Sequence, residues 1–157
     1  MAASRQPDAT RADTMLRTEP VVWLSTVRPD GLPHLVPIWF WWDGESVLIA
    51  SKPHARKVAN LRENPSAMLA VGDPEADFDV SLIEARAELT SIPTSWLLQA
   101  GLYDKYGDQM RSIGLDRAEF AATYSQVIRI TPTRWLPWHG RTEPRQPGPA
   151  AAALAVA

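Results

Sequence analysis

The sequence predicts a mainly β protein with helices in its connections, built as a six-stranded antiparallel β-barrel. Two tight turns, Asp30-Gly31 and Asp43-Gly44, separate the first three apolar segments of the chain. Strands joined by such short turns pair antiparallel, which argues against βαβ units. Closing the six strands into a barrel would remove the exposed edges that an open sheet leaves.

The predicted elements follow one another along the whole chain. Segments rich in β-branched and aromatic residues predict strands at 21–27, 32–42, 45–50, 67–71, 78–90 and 124–131. Spacing of apolar residues predicts helices at 8–18, 55–64, 93–110 and 116–123. Pro33 and Pro37 interrupt the second strand, and since proline cannot donate to a ladder, that strand is expected at an edge or a bulge.

Composition predicts one globular domain over residues 13–139, with a flexible segment at 1–12 and a disordered Pro- and Ala-rich tail at 140–157. The chain has 157 residues, 45% of them hydrophobic and 22% charged, a net charge of -2 and no cysteine. The slightly acidic balance argues against nucleic-acid binding. No apolar run approaches the roughly 18 residues of a membrane span, and no signal peptide is recognisable, so a cytoplasmic protein without membrane contact is expected.

A positively charged stretch lies where the third strand turns into a short helix that ends at Pro65. Free N–H groups at a helix N-terminus attract anions, and nearby cations strengthen the attraction. The sequence therefore predicts a phosphate site for a cofactor, with a solvated basic helix as the alternative. The residues of this stretch, with a serine and a proline expected at the helix start, are Ser51, Lys52, Pro53, His54, Arg56 and Lys57.

The run Trp39-Phe40-Trp41-Trp42 places aromatic side chains on both faces of one strand. Because adjacent strand residues point to opposite faces, Trp39 and Trp41 share one face, and Phe40 and Trp42 share the other. Both faces must then be covered. Core and dimer packing is one interpretation, and a planar ligand on one face is the other.

No residue pattern identifies catalytic chemistry in the side chains themselves. His34, His54 and His139 are scattered, without the spacing of a metal site. The acidic residues between 73 and 79 do not match a calcium loop. An enzyme with this sequence would depend on a bound cofactor, and the catalytic residues and any metal are left unassigned.

Four motifs occur in an order that resembles the split β-barrel family of flavin and deazaflavin proteins, which includes pyridoxamine-phosphate oxidase. Within that family the chain looks most like the actinobacterial branch that uses the deazaflavin coenzyme F420. The resemblance covers about residues 13 to 138. The motifs are Leu24-Ser25-Thr26, Asp30-Gly31-Leu32-Pro33, Pro37-Ile38-Trp39-Phe40 and Ser51-x5-Lys57-x2-Asn60-Leu61-x2-Asn64-Pro65.

The resemblance implies an FMN-binding split-barrel fold and a homodimer with two cofactor sites at the subunit interface. Arg56 and Lys57 match the basic pair that holds the cofactor phosphate. The segment that lines this phosphate is matched by Ser51, Lys52 and Pro53, and the strand beside the ring is matched by Pro37, Ile38 and Trp39. The resemblance further suggests that the facing subunit contributes Phe78 and Asp79, and that Trp135 and Trp138 cover the ring edge.

The chain departs from the family pattern at two places. Glu84-Ala85 stands where the family usually has Glu-Gly, which adds a methyl group at a position of close backbone approach. The Arg-x-His substrate signature of the phosphate oxidase is not matched by residues 134–139. Pyridoxamine phosphate is therefore not the expected substrate.

The expected function is hydride transfer between reduced F420 and a small unsaturated or aromatic acceptor, with Tyr103, Tyr106, Tyr124 or solvent as possible proton donors. The same fold with FMN is one alternative, since both cofactors carry a phosphate. A non-catalytic protein that stores or senses F420, FMN or haem is another. The polyanionic tail of F420 calls for further cations, which Lys52, His54 and Arg62 could supply.

Overall fold

The computed structural model describes residues 7–73, 75 and 79–136, which form one antiparallel half-barrel sheet with helices around it. The seven strands lie in the order β2-β1-β5-β6-β7-β4-β3. The strands are Val22–Val27 (β1), Pro33–Ile38 (β2), Trp41–Trp42 (β3), Val47–Ser51 (β4), Ser66–Asp73 (β5), Asp79–Leu89 (β6) and Gln126–Trp135 (β7).

The helices lie before the sheet and in its longer connections. They are Pro7–Thr18 (α1), Arg56–Glu63 (α2), Thr94–Leu97 (α3), Tyr103–Ser112 (α4) and Arg117–Thr123 (α5), with a π-helical segment, Leu98–Leu102, between α3 and α4. The predicted helix 93–110 is thus present but interrupted. At Gly101 an added Cβ would lie 2.2 Å from Nε1 of Trp41, so the irregular turn allows that indole to pack against the helix backbone.

The prediction of six strands was wrong, because the expected strand 32–42 is two strands at opposite ends of the sheet. β2 pairs with β1 and ends at Ile38, whereas Trp41–Trp42 pairs with β4. Between them the N–H of Phe40 donates to Oη of Tyr106 at 3.1 Å instead of to a neighbouring strand. Among the described residues no ladder joins β2 to β3, so the sheet remains open between these two strands.

The alternation predicted for the aromatic run is confirmed by the two cores of the protein. Phe40 and Trp42 are buried in an inner core that the sheet, α1 and α2 enclose. Trp39 and Trp41 pack against an outer core, which the helices α3 to α5 form with the opposite face of β4 and β7. Both faces of the run are therefore covered within one chain.

The start of α2 differs from the prediction. Ser51 is the last residue of β4, where its hydroxyl donates to the carbonyl oxygen of Lys52 at 3.1 Å. The N-cap is Ala55, whose side chain offers no oxygen, so neither Ser51 nor Pro53 caps the helix. The helix begins at Arg56, one residue after the predicted start. A turn at residues 53–54, in which the N–H of Ala55 donates to the carbonyl oxygen of Lys52 at 3.1 Å, separates it from β4.

The first helix overlaps the N-terminal segment that was predicted to be flexible. α1 begins at Pro7, inside the segment 1–12 expected to be flexible, and its Ala9 and Ala12 are buried. The tail 140–157 lies outside the described residues. None of the described helices is long and apolar enough to cross a membrane.

Candidate cofactor site

A cavity of about 480 Å³ lies between the end of β2, the β4–α2 connection and the helices of the outer core. Its volume is in the range of small-molecule and cofactor sites. Five residues predicted from the sequence line this cavity together: Pro37, Ile38, Trp39, Lys52 and Lys57. Strand β2 supplies the first two, and the connection and first turn of α2 supply the lysines.

Two lysines set the electrostatics of the cavity, and none of its described lining residues is a carboxylate. Lys57 is half-buried, and desolvation lowers the pKa of its ammonium group below the ordinary value. No acidic side chain forms an ion pair with Lys57 in the described part of the chain. A bound anion would therefore find a cation that is already partly stripped of water, as a phosphate site requires.

The opposite wall of the cavity is apolar and aromatic, and most of it was not predicted from the sequence. Phe120 stacks on Tyr124 at 4.7 Å between ring centroids and lies 6.5 Å from Trp39. Trp39 in turn stacks on Tyr106 at 5.0 Å and an interplanar angle of 12°. The lining residues that were not predicted are Val21, Ala50, Ala55, Leu102, Ile113 and Phe120, whereas Tyr124 is one of the three tyrosines named as possible proton donors.

A signal for part of this wall was present in the predicted helix 116–123. Phe120 and Tyr124 are four residues apart, so both point to one side of α5 and its end. Their packing partner could not be read locally, because Trp39 lies about 80 positions away in the sequence. Tyr124 is the one cavity residue with a hydroxyl group among those described.

The remaining predicted residues lie outside the cavity of the single chain. Ser51 is buried beneath it, whereas Pro53 and Arg56 are exposed beside it. Asp79 forms an ion pair with Arg11 of α1. Phe78 lies outside the described residues.

Trp135 and Trp138 are the two tryptophans that the family resemblance suggested would cover the ring edge. Trp135 packs edge-on against Trp42 at 6.4 Å between ring centroids, so in the single chain it belongs to the inner core and not to the cavity. Trp138 lies outside the described residues.

The outer face of β1 and β2 carries exposed apolar side chains beside the cavity. Trp23 is 46% exposed and Leu35 is 59% exposed. Trp23 pairs across the ladder with Pro37, which also lines the cavity. The cavity thus opens next to a contiguous apolar sheet face of the kind that marks interaction surfaces.

The half-barrel and its cationic, aromatic-lined cavity define a split-barrel protein of the flavin-binding class. The sequence profile described as pyridoxamine 5'-phosphate oxidase matches residues 9–139, and the chain therefore belongs to that family.

Solved structures share the fold over most of the chain. An F420 reductase is 25% identical with a TM-score of 0.60, and the match covers 79% of this chain and 94% of the reductase. An FAD-binding protein from Mesorhizobium loti is 16% identical with a TM-score of 0.59 over 81% of this chain and 89% of that one. A haem storage protein from Vibrio cholerae is also 16% identical with a TM-score of 0.59, over 80% of this chain and 89% of that one. The last two matches show the fold alone.

One curated relative matches a shorter stretch. The tRNA modification GTPase MnmE of Rhizorhabdus wittichii is 34% identical over 86 residues, which is 55% of this chain. The match covers 20% of the GTPase, so this chain corresponds to about a fifth of that protein's length.

Proposed function

We propose that this chain is an oxidoreductase that binds coenzyme F420 in the cavity and reduces a small unsaturated or aromatic acceptor. The observation that carries the proposal is the meeting of Lys52 and Lys57 with Trp39 in one cavity. A phosphorylated, planar redox cofactor has both of the chemical features that this lining complements. The similarity to an F420 reductase supports the choice of deazaflavin.

The lining of the cavity offers a cationic part and an apolar, aromatic part, which match the two parts of such a cofactor. Lys57 and Lys52 hold the phosphate, and the apolar wall that contains Phe120 packs against the ring. The cofactor supplies the hydride chemistry when it is bound. The protein positions the ring and excludes water from it, because ten of the twelve lining residues are uncharged and mostly apolar.

A homodimer is part of the proposal. The exposed side chains of Trp23 and Leu35 would be covered by a second copy on the outer face of β1 and β2. Because Pro37 belongs to both this face and the cavity, the second copy would also narrow the cavity opening. At this interface between the two copies, Phe78 and Asp79 of the facing subunit are proposed to contact the cofactor.

Titration of purified protein with F420, FMN and haem tests the proposal. We expect F420 to quench the tryptophan fluorescence, since Trp39 lines the cavity. Tighter binding of FMN would favour the flavin-dependent alternative, and a sharp Soret band with haem would favour the storage alternative. The absence of binding by all three would overturn the proposed function.

Turnover separates an enzyme from a storage protein. Reduced F420 is mixed with the protein and a panel of quinones, enones and nitroaromatic compounds, and its reoxidation is followed by absorbance. We expect acceptor-dependent reoxidation. Binding of F420 without turnover across the panel would instead indicate a carrier of the cofactor.

A further inference from the structure

The pairing of β2 with β1 determines which backbone groups of this edge strand point away from the sheet. The N–H of Arg28 donates to the carbonyl of Leu32 at 2.9 Å, which makes these residues a hydrogen-bonded pair. Hydrogen-bonded and non-hydrogen-bonded pairs alternate in an antiparallel ladder, so Val22 and Ile38 also form a hydrogen-bonded pair. The backbone groups of the residues between these pairs, including 33, 35 and 37, point away from β1.

No other described strand pairs with β2 on its outer side, since β2 ends the sheet order. Two of its three outward-pointing positions are proline, namely Pro33 and Pro37. Proline has no N–H, so at these positions the edge presents carbonyl oxygens and no donor. Pro37 lines the cavity, and its neighbour Ile38 directs its N–H to β1.

We propose that this donor-free edge at Pro37 faces position 5 of the bound ring and makes the cavity selective for a deazaflavin over a flavin. The inference rests on the proposed function, because it assumes that the cavity holds a ring of this kind. An oxidised flavin has a nitrogen with a lone pair at position 5, which needs a hydrogen-bond donor. A deazaflavin has a C–H at that position, which is compatible with a carbonyl oxygen.

The selectivity comes from an unsatisfied acceptor. A flavin nitrogen that leaves water for the edge at Pro37 loses a hydrogen bond and gains none there. The deazaflavin carbon had no such hydrogen bond to lose. The phosphate contacts at Lys52 and Lys57 are common to both rings and cancel in the comparison. The ratio of the two affinities therefore reports on the ring edge alone.

Two probes that differ at one ring position test the inference: FMN and 5-deaza-FMN, both oxidised. Each is titrated into the full chain, and tryptophan quenching gives the dissociation constant. We expect 5-deaza-FMN to bind about 3- to 10-fold more tightly, the range of one neutral hydrogen bond. Equal affinities, or tighter binding of FMN, would overturn the inference and leave the proposed cofactor site standing. Failure of both probes and of F420 to bind would overturn the proposed function.

The variant Pro37→Ala supplies the missing N–H at the cavity. We expect the affinity for FMN to rise relative to the affinity for 5-deaza-FMN, so that the ratio of the two affinities approaches one. The matched control is Pro33→Ala, which restores an N–H at the equivalent ladder position but does not line the cavity. Its ratio is expected to equal that of the unchanged chain, and an equal effect of both variants would overturn the role of Pro37. Should Pro37→Ala not fold, the ratio of the unchanged chain still decides the inference.

Discussion

The side-chain amide of Asn60 in α2 donates a hydrogen bond of 3.0 Å to the hydroxyl oxygen of Thr26 in β1, and both residues are buried. The bond connects two of the four motifs by which the chain resembles its family. It fixes α2, and with it Lys57, against the sheet. Asn60 therefore supports the cavity from beneath instead of lining it.

Replacement of Thr26 by Val tests this connection. The variant leaves the buried amide of Asn60 without a partner, so we expect a loss of about 1–3 kcal/mol in the free energy of unfolding. Chemical denaturation measures the loss. The double variant Thr26→Val with Asn60→Leu removes both polar groups and is expected to recover most of the stability. Additive losses in the double variant would mean that the two side chains do not interact.

Lys57 is expected to carry most of the charge-assisted contact to a cofactor phosphate. Lys57→Ala should weaken FMN and F420 binding by about 1.5–3 kcal/mol, measured by isothermal titration. The matched control is Arg62→Ala, which removes an exposed cation from the last turn of the same helix. Its FMN affinity is expected to be unchanged, while weaker F420 binding would indicate a contact with the tail. Unchanged affinities in Lys57→Ala would refute the phosphate role.

Trp23 is expected to lie in the homodimer interface. Trp23→Glu places a charge on the apolar face of β1 and should convert a dimer of twice 17.4 kDa into a monomer in sedimentation experiments. Trp96→Glu is the control, because Trp96 is 48% exposed, about as much as Trp23 at 46%, but lies in helix α3. A monomeric unchanged chain would contradict the proposed assembly.

Tyr106 holds the open part of the sheet to α4. Its hydroxyl donates to the carbonyl oxygen of Pro20 at 2.9 Å and accepts the N–H of Phe40. Burial, partly offset by the Phe40 hydrogen bond, raises its pKa to about 12, so the group stays protonated at neutral pH. Tyr106→Phe should cost about 1–3 kcal/mol of unfolding free energy in denaturation.

Tyr103→Phe is the matched control on the same helix, since the Tyr103 hydroxyl accepts an exposed hydrogen bond from Arg111. Its expected cost is below about 0.5 kcal/mol, as for other surface changes. Similar losses in the two variants would contradict the special role of the Tyr106 hydroxyl.

Lys105 makes the free energy of unfolding change with pH in the alkaline range. Its Nζ is buried 3.6 Å from the centroid of the Phe40 ring and has no hydrogen-bond partner among residues 7–73, 75 and 79–136. Desolvation lowers its pKa to about 8, although Glu19 acts in the opposite direction. Between about pH 8 and the ordinary value of 10.5, the unfolded chain therefore binds a proton that the folded chain has lost. The unfolding free energy should rise with pH across this window.

Lys105→Met removes this contribution. Urea denaturation at pH 7, 8, 9 and 10 should give a stability that rises with pH for the unchanged chain more steeply than for the variant. The difference is expected to be on the order of 1–2 kcal/mol, since part of the side chain remains accessible to solvent. Parallel pH profiles for the two proteins would contradict the prediction.

Local residue patterns sufficed for the features that depend on spacing along the chain. The alternation of Trp39, Phe40, Trp41 and Trp42 predicted which rings share a face, because side chains of extended backbone alternate regardless of what they contact. Gly31 was placed correctly in its turn, where it has a φ of 84°. The same local pattern placed Lys57 near the start of the helix that follows β4, where the cavity forms.

Tertiary structure decided the features that depend on competition between distant partners. The expected strand 32–42 divides because Phe40 gives its N–H to Tyr106, which lies 66 residues away. The aromatic wall exists because α5 brings Phe120 against Trp39. A sequence window contains neither partner, so spacing alone determined the faces of each strand, while long-range hydrogen bonding and packing determined where the strands end and what encloses the cavity.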